Sequence, residues 1–249
     1  MQSLLVFTTP PGECAYLPEQ QWSLEYELVA ELSGPEYLRR MIGGWRHFGH
    51  MMFHPVCQTC QACTPLRVRI ADFRPTRSQK RCRRTNEGVV ELRIGAPSVT
   101  HEKLRLYDAF HSFHADHKGW PEKGARDPEG YAESYVVQPF PVEEWCYYLD
   151  GKLVGVGYVD ALAEALPGDE GQEGLSAIYF FYDPAERHLA LGTWNVLVAL
   201  DEAARRGLPY VYLGYYVAGG ASLEYKANFR PHEVRGADGV WQTPDEPEA

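Results

Sequence analysis

The chain has no apolar run approaching the ~20 residues that a membrane-spanning helix needs, so no span is expected. Residues 1–7 lack a basic n-region, so no secretory signal is expected. Internal repeats are absent. Disorder is excluded for most of the length, because 45% of the 249 residues are hydrophobic and 13% aromatic, enough to bury the core of one large domain or two ordinary ones. Cysteine is scarce. Of six, three fall within seven residues, as Cys57-Gln-Thr-Cys60-Gln-Ala-Cys63. Disulfide frameworks belong to small secreted chains, whereas in a cytosolic chain this spacing points to thiolates that hold a metal. A cytoplasmic location is the expectation.

Positive charge is in deficit, and what there is lies in one place. The net charge is −10, yet residues 36–93 carry twelve Arg or Lys against four acids, a net of +8 that leaves −18 for the remainder. Residues 67–84 hold eight basic side chains against Asp72 alone. A basic stretch in an acidic protein suggests a polyanion or acidic ligand at that face, with a merely solvated face as the alternative.

Residues 1–20 read as loop. Residues 22–32 are helical or strand-like, and 34–42 form a short segment. Leu66-Arg67-Val68-Arg69-Ile70 alternates as a half-exposed strand does, and Ser78 is positioned to cap a short basic helix through Arg84. Residues 89–94 alternate again before Gly95-Ala96-Pro97, where a domain boundary is placed. Thr100 caps a helix over 101–117, and 118–130 read as a mobile loop. Asp150-Gly151 joins 144–149 to 152–160 in a hairpin, because that dipeptide accepts the positive φ angles of a tight turn. An acidic loop covers 161–174. Then follow a strand at 176–182, a helix over 188–206, a strand at 208–217 and a short helix at 222–228. The expected division is 1–97 (cysteine cluster and basic segment), 98–241 (α/β unit) and a disordered acidic tail, 242–249.

Hairpin, strand, long helix, strand and short helix make an α/β (α+β) fold with a mixed sheet, as in GCN5-related acetyltransferases. In that architecture two adjacent strands, here 176–182 and 210–217, splay apart to admit an acyl donor. Fold alone decides little about function.

Four segments are more specific: Cys14-Ala-Tyr-Leu-Pro18; Cys57 through Arg69; Phe73-Arg-Pro-Thr-Arg77-Ser78-Gln79-Lys-Arg81; and a C-terminal set with Ile178-Tyr179-Phe-Phe-Tyr-Asp183-Pro184, Leu191-Gly192-Thr193, Leu213-Gly214-Tyr215 and Tyr225-Lys226-Ala-Asn-Phe229. On these segments the chain resembles the arginyl-tRNA–protein transferases, most closely their compact bacterial branch, the aspartate/glutamate leucyltransferases, in order over roughly residues 10–235. The resemblance implies transfer of Leu or Arg from aminoacyl-tRNA to the N-terminal amine of proteins beginning with Asp or Glu, marking them for degradation. The chain departs from the pattern at Arg46-His47-Phe48-Gly49, at Ser222-Leu223 and in the extra acidic loop.

The donor in such a reaction is an activated ester and the nucleophile an α-amine of pKa about 7.7–8.0, so positioning and oxyanion stabilisation matter more than a strong base. Tyr179, Asp183, Tyr225 and Lys226 are the catalytic candidates. Arg46, Arg67, Arg69, Arg77 and Arg81 are candidates for phosphate or for the acidic acceptor side chain, since guanidinium grips either with two parallel donors. Cys14, Cys57, Cys60 and Cys63 form a candidate set for Zn²⁺ or an iron–sulfur cluster. Cys82 and Cys146 read as small packing residues. His111, His114 and His117 drift around their helix and read as a solvated or partly packed face. Two rivals stand beside this reading. One is a CoA-dependent N-acetyltransferase, against which the turn at 186–192 has one Gly and bulky neighbours where a pyrophosphate cradle is needed. The other is a non-enzymatic, metal-dependent RNA-binding protein, which leaves the Tyr-rich C-terminal half without a task.

Overall fold

The computed structural model describes residues 1–120, 124–220 and 222–244. The chain runs β1 (Gln2–Thr8), β2 (Gly12–Glu13), β3 (Gln21–Trp22), β4 (Leu24–Glu31), α1 (Gly34–Ile42), β5 (Arg46–Phe48), β6 (Met51–Pro55), β7 (Thr64–Arg69), α2 (Arg77–Asn86), β8 (Val90–Gly95), α3 (His101–Lys118) and α4 (Pro128–Tyr135). It continues through β9 (Val142–Leu149), β10 (Lys152–Leu162), β11 (Gly174–Tyr182), α5 (Leu191–Arg205), β12 (Tyr210–Tyr216), β13 (Glu233–Arg235) and β14 (Trp241–Gln242). Short 3₁₀ helices cover Pro184–Leu189 and Glu224–Asn228.

A mixed eight-stranded sheet in the order β14-β13-β7-β12-β11-β10-β9-β8 forms the body. In the interior strand β10, flanked by β11 and β9, Leu153 through Asp160 are all buried, as a strand covered on both faces must be. Asp150 and Gly151 take φ of 48° and 80° at the β9–β10 turn, the conformation expected of that dipeptide. A second sheet, β1-β4-β6-β5, packs nearby. Strands β7 and β8, although they precede residue 97, belong to the main sheet. Each face of that sheet has its own core. Tyr37, Met41, Tyr131, Tyr158, Phe181 and Tyr212 pack with α1, α3 and α4, while Leu66, Val68, Trp145, Val154, Leu197 and Val211 pack with α2 and α5.

Several expectations need correction. Residues 2–8 form an edge strand rather than loop. All seven are exposed, so no alternation between a wet and a dry face marked them as a strand. The 22–32 segment is strand. The basic helix starts earlier, at a capping box in which Thr76 Oγ1 accepts from the Gln79 amide and Gln79 returns the bond to the Thr76 amide. The helix expected over 188–206 divides at Ala190, which has a φ of 51°, so a 3₁₀ turn precedes α5. The last short helix is 3₁₀. Helix α4 occupies part of the expected loop, and residues 121–123 of that loop lie outside the described residues. So does the tail from 245 to 249. Among the described residues no helix is long and apolar enough to cross a membrane.

Candidate active site

Strands β11 and β12 run parallel and pair at only three positions: Gly174 with Tyr210, Leu175 with Val211, and Ser176 with Tyr212. Beyond Ser176 and Tyr212 the ladder ends, although β11 continues to Tyr182 and β12 to Tyr216. The cause is local. Gly214, at φ 75°, sits where the register of β12 against β7 shifts between Tyr212 and Tyr215. Such a bulge bends its strand, and its left-handed backbone suits glycine. β12 therefore stays on β7 and leaves β11, opening a cleft toward the smaller sheet.

At the β12 wall stands Arg46, 7% exposed. Its Nη1 donates to the carbonyls of Met41 and Trp45 at 3.1 and 2.6 Å. Its Nε and Nη2 are buried and have no hydrogen-bond partner among the described residues. The guanidinium lies 5.3 Å from the Tyr215 ring centroid. Lys226 reaches the same place: its Nζ donates to the Tyr215 carbonyl at 2.7 Å, and a Cβ on Gly214 would meet Lys226 Nζ at 3.6 Å and Arg46 Nε at 3.8 Å. Burial, and then the Arg46 charge, bring the Lys226 pKa down to about 7. Arg46 and the half-buried Lys226 thus share a corner where no carboxylate among the described residues is in contact. Unsatisfied buried donors are costly, so these two call for an acceptor from a water, an ion or a ligand.

The β11 wall is aromatic. The Tyr179 hydroxyl and His111 Nε2 are 2.8 Å apart, and the Tyr179 ring stacks on Tyr135 and meets the edge of Phe48. Burial raises the Tyr179 pKa, with Tyr107 adding to the effect. Tyr16, from the Cys14–Pro18 motif, lines the same cavity as Tyr215.

The four candidate cysteines gather beside this cleft, lining one cavity of about 550 Å³ together with Tyr16, Phe53 and Tyr215. Burial, followed by the nearness of Cys57, Cys14 and Cys60, pushes the Cys63 thiol up to about 11. Cys57 Sγ accepts from the Ser23 amide at 3.4 Å and Cys60 Sγ from the Ala62 amide at 3.5 Å. Among the described residues, however, no group of three or more His, Cys, Asp or Glu forms a set that could hold a metal ion as it stands.

Comparison with known proteins decides the family. The model described as arginine-tRNA-protein transferase, N terminus, matches residues 12–81, and its C-terminal counterpart matches 102–236. The chain belongs to the arginine-tRNA-protein transferase family. It is 37% identical to the aspartate/glutamate leucyltransferase of Gluconobacter oxydans, covering 95% of this chain and 94% of that one. It is 33% identical to the Helicobacter hepaticus protein of the same name, covering 93% and 92%. The solved L-PGS structure from Bacillus licheniformis aligns over 81% of this chain and 70% of that one at 9% identity, with a TM-score of 0.44.

Within this family member, the other residues singled out by sequence fall into three groups. Arg67 is held inside the sheet, and Arg69 is exposed beside it. Arg67 Nε donates to Glu233 at 2.7 Å, its Nη1 reaches Gln172 and Tyr212, and its guanidinium lies over Tyr210 and Trp241 at 3.8 and 4.3 Å. Arg69 pairs with Glu233 and Asp72. Asp183 accepts from the Ala185 amide at 2.9 Å and meets Lys152 at 2.7 Å. Burial raises its pKa, but the Lys152 ammonium and that amide together outweigh burial and lower it. Tyr225 exposes 44% of its surface at the rim, while desolvation of its hydroxyl raises its pKa.

Arg77 and Arg81 are exposed and line a second cavity of about 590 Å³ with Thr76, Ser78 and Arg84. The helix that carries this face is tied to the segment after Lys226, where Gln79 Nε2 donates to the Asn228 carbonyl. Nor are His111 and His114 a solvated face: they are 5% and 3% exposed.

Sequence reasoning passed over Tyr16, His111, Gly214 and Tyr215 as individual side chains. A lone glycine inside a strand pattern is a bulge signal that Gly214 carried. Nothing in the helix pattern distinguished His111 from its neighbours.

Proposed function

We propose that the protein transfers leucine from leucyl-tRNA to the N-terminal amine of proteins that begin with Asp or Glu, in the cytoplasm and in service of their degradation. The observation that carries this reading is the buried Arg46 beside the half-buried Lys226, with two guanidinium donors unengaged among the described residues, at the open end of β11 and β12. A side-chain carboxylate fits those donors in a bidentate contact. Nearby positive charge also disfavours an ammonium, so it keeps the reacting amine neutral. The donor ester is already activated, and the cleft's task is to align amine and carbonyl and to stabilise the oxyanion.

In this proposal Arg77 and Arg81 contact tRNA phosphates, and Tyr225 offers its exposed ring to the terminal adenine. Tyr179 stands beside the reacting carbonyl. Arg67 and Arg69 serve the fold, and Asp183 caps its turn. Residues 1–97 supply the acceptor side and 98–241 the transfer side of the cleft. Cys14, Cys57, Cys60 and Cys63 are proposed as ligands for Zn²⁺ or an iron–sulfur cluster, which would tie the Tyr16 loop over the cleft. No step of the transfer passes through it. Metal analysis of anaerobically purified protein tests that assignment: Zn or Fe should be present and lost in Cys57→Ser, and an active, stable, metal-free protein would contradict it.

The function is tested by incubating the protein with an Asp-initiated peptide and labelled leucyl-tRNA, arginyl-tRNA or acetyl-CoA in parallel. Label from leucyl-tRNA on the peptide amine is expected. Label from acetyl-CoA alone would establish the acetyltransferase reading, and tRNA binding without any transfer would leave an RNA-binding protein.

A further inference from the structure

His111 is a buried titratable side chain at the cleft wall that the proposed chemistry has not used. Its Nδ1 lies 2.8 Å from the Tyr107 carbonyl oxygen and its Nε2 2.8 Å from the Tyr179 hydroxyl. A carbonyl can only accept, so Nδ1 carries the hydrogen. In the neutral ring the lone pair is then on Nε2, and the Tyr179 hydroxyl donates to it. The bond at one nitrogen thus sets the role of the other.

Packing holds this arrangement in place. The Tyr107 ring lies 3.8 Å from His111, and the Tyr179 ring is nearly parallel to it at 6.1 Å and 15°. Tyr179 is further held by Tyr135 at 5.6 Å and Phe48 at 6.2 Å. His114, one turn later, makes the same bond to the helix, from Nδ1 to the Phe110 carbonyl. Its ring packs on Phe110 and Trp120 at 4.1 and 4.8 Å.

The strand geometry brings the acceptor to this hydroxyl. Phe48 meets Tyr179, and Arg46 lies two residues earlier on the same face of β5, about 6.6 Å away along the strand. An acidic residue is shorter than this span, and a hydrogen bond at each end makes up the difference, so an acceptor seated on Arg46 can turn its amine toward Tyr179.

We propose that His111 is a positioning residue that works through Tyr179, receiving and returning the proton moved in aminoacyl transfer. The inference rests on the transfer reading above. The amine lone pair forms the N–C bond, and the carbonyl π pair moves to oxygen. The proton leaving nitrogen passes to the Tyr179 oxygen, while the Tyr179 proton passes to His111 Nε2. On collapse the ester C–O bond breaks. The ribose oxygen takes a proton from Tyr179, which recovers its own from His111. Amide and free tRNA hydroxyl are formed and both side chains end as they began.

The test is single-turnover transfer from leucyl-tRNA to an Asp-initiated peptide by wild type, His111→Gln, Tyr179→Phe and the double variant, with peptide KM and tRNA affinity measured alongside. Gln keeps an acceptor for the Tyr179 hydroxyl but cannot take its proton. The transfer rate should fall about 10²-fold in each single variant, with KM and affinity unchanged. The double variant should be no slower than the slower single, as for groups that act as a unit. His111→Gln at the wild-type rate, or losses that multiply in the double variant, would overturn the proposal. If His111→Gln does not fold, Tyr179→Phe keeps the packed ring and decides alone: an undiminished rate there overturns it. A wild-type protein that transfers nothing would instead remove the transfer reading, and this inference with it.

Discussion

Arg46 and Arg67 invite comparison. Both lie on strands of the first 97 residues, and both are buried, at 7% and 4% exposure. Arg67 is enclosed by Glu233, Gln172 and three aromatic rings, whereas Arg46 leaves Nε and Nη2 without a partner among the described residues. A buried cation whose bonds are complete contributes to holding elements together; here Arg67 joins β7 to β13 and to the loop before β11. A buried cation with unengaged donors is a burden on the free protein that an added acceptor relieves. In the proposed function the same residue type in similar burial thus divides between architecture and recognition, and the division is set by what faces it.

The comparison breaks most visibly in stability. Arg67→Ala leaves Glu233, itself 8% exposed, to the exposed Arg69 alone, and with the lost charge-assisted bonds should destabilise the protein by about 3 kcal/mol. Arg46→Ala breaks no ion pair and should cost about 1 kcal/mol, from its two carbonyl bonds. Urea unfolding of both variants reads the difference, and equal losses would erase the distinction. A third set of arginines sharpens it from the other side. Arg77 and Arg81 are exposed, so Arg77→Glu with Arg81→Glu should leave stability nearly unchanged. That pair should weaken tRNA binding and flatten its salt dependence by about one unit for each phosphate no longer neutralised. An unchanged salt slope would place the RNA elsewhere.

The last effect concerns Lys226 and is read only in how stability depends on pH. Its folded-state pKa of about 7 lies below the ordinary 10.5. Between those values the unfolded chain holds a proton that the folded chain has released. The unfolded state then binds more protons, so this group makes stability rise with pH across that window. Lys226→Met removes the rise. Unfolding measured at about pH 7 and about pH 10 should show wild type gaining on the variant, and parallel behaviour would mean that Lys226 is not buried beside a charge.

Much of the main sheet was legible from local pattern. The Asp150-Gly151 hairpin, the Leu66–Ile70 alternation and the parallel pair around α5 all follow from residue chemistry within a few positions. Strand β1 was not, because an edge strand exposed on both faces has no periodicity to read. The site was legible as a set of residues but not as roles. Arg46 and Arg67 both appear in sequence as a basic residue near the cysteine cluster. What separates them is Glu233, 166 residues from Arg67, and Lys226, far along the chain from Arg46. His111 likewise acquires its place from Tyr179, 68 residues away. Partners at such separations come from tertiary packing, which no local pattern records.

The central claim is that Arg46 reads the acceptor's carboxylate. Leucine transfer to Asp- and Asn-initiated peptides of otherwise identical sequence, by wild type and Arg46→Ala, tests it most directly. Wild type should strongly prefer Asp. Arg46→Ala should lose about 2–5 kcal/mol of that preference while its affinity for leucyl-tRNA is unchanged. Equal rates for Asp and Asn in the wild type, or a preference that survives Arg46→Ala, would contradict it.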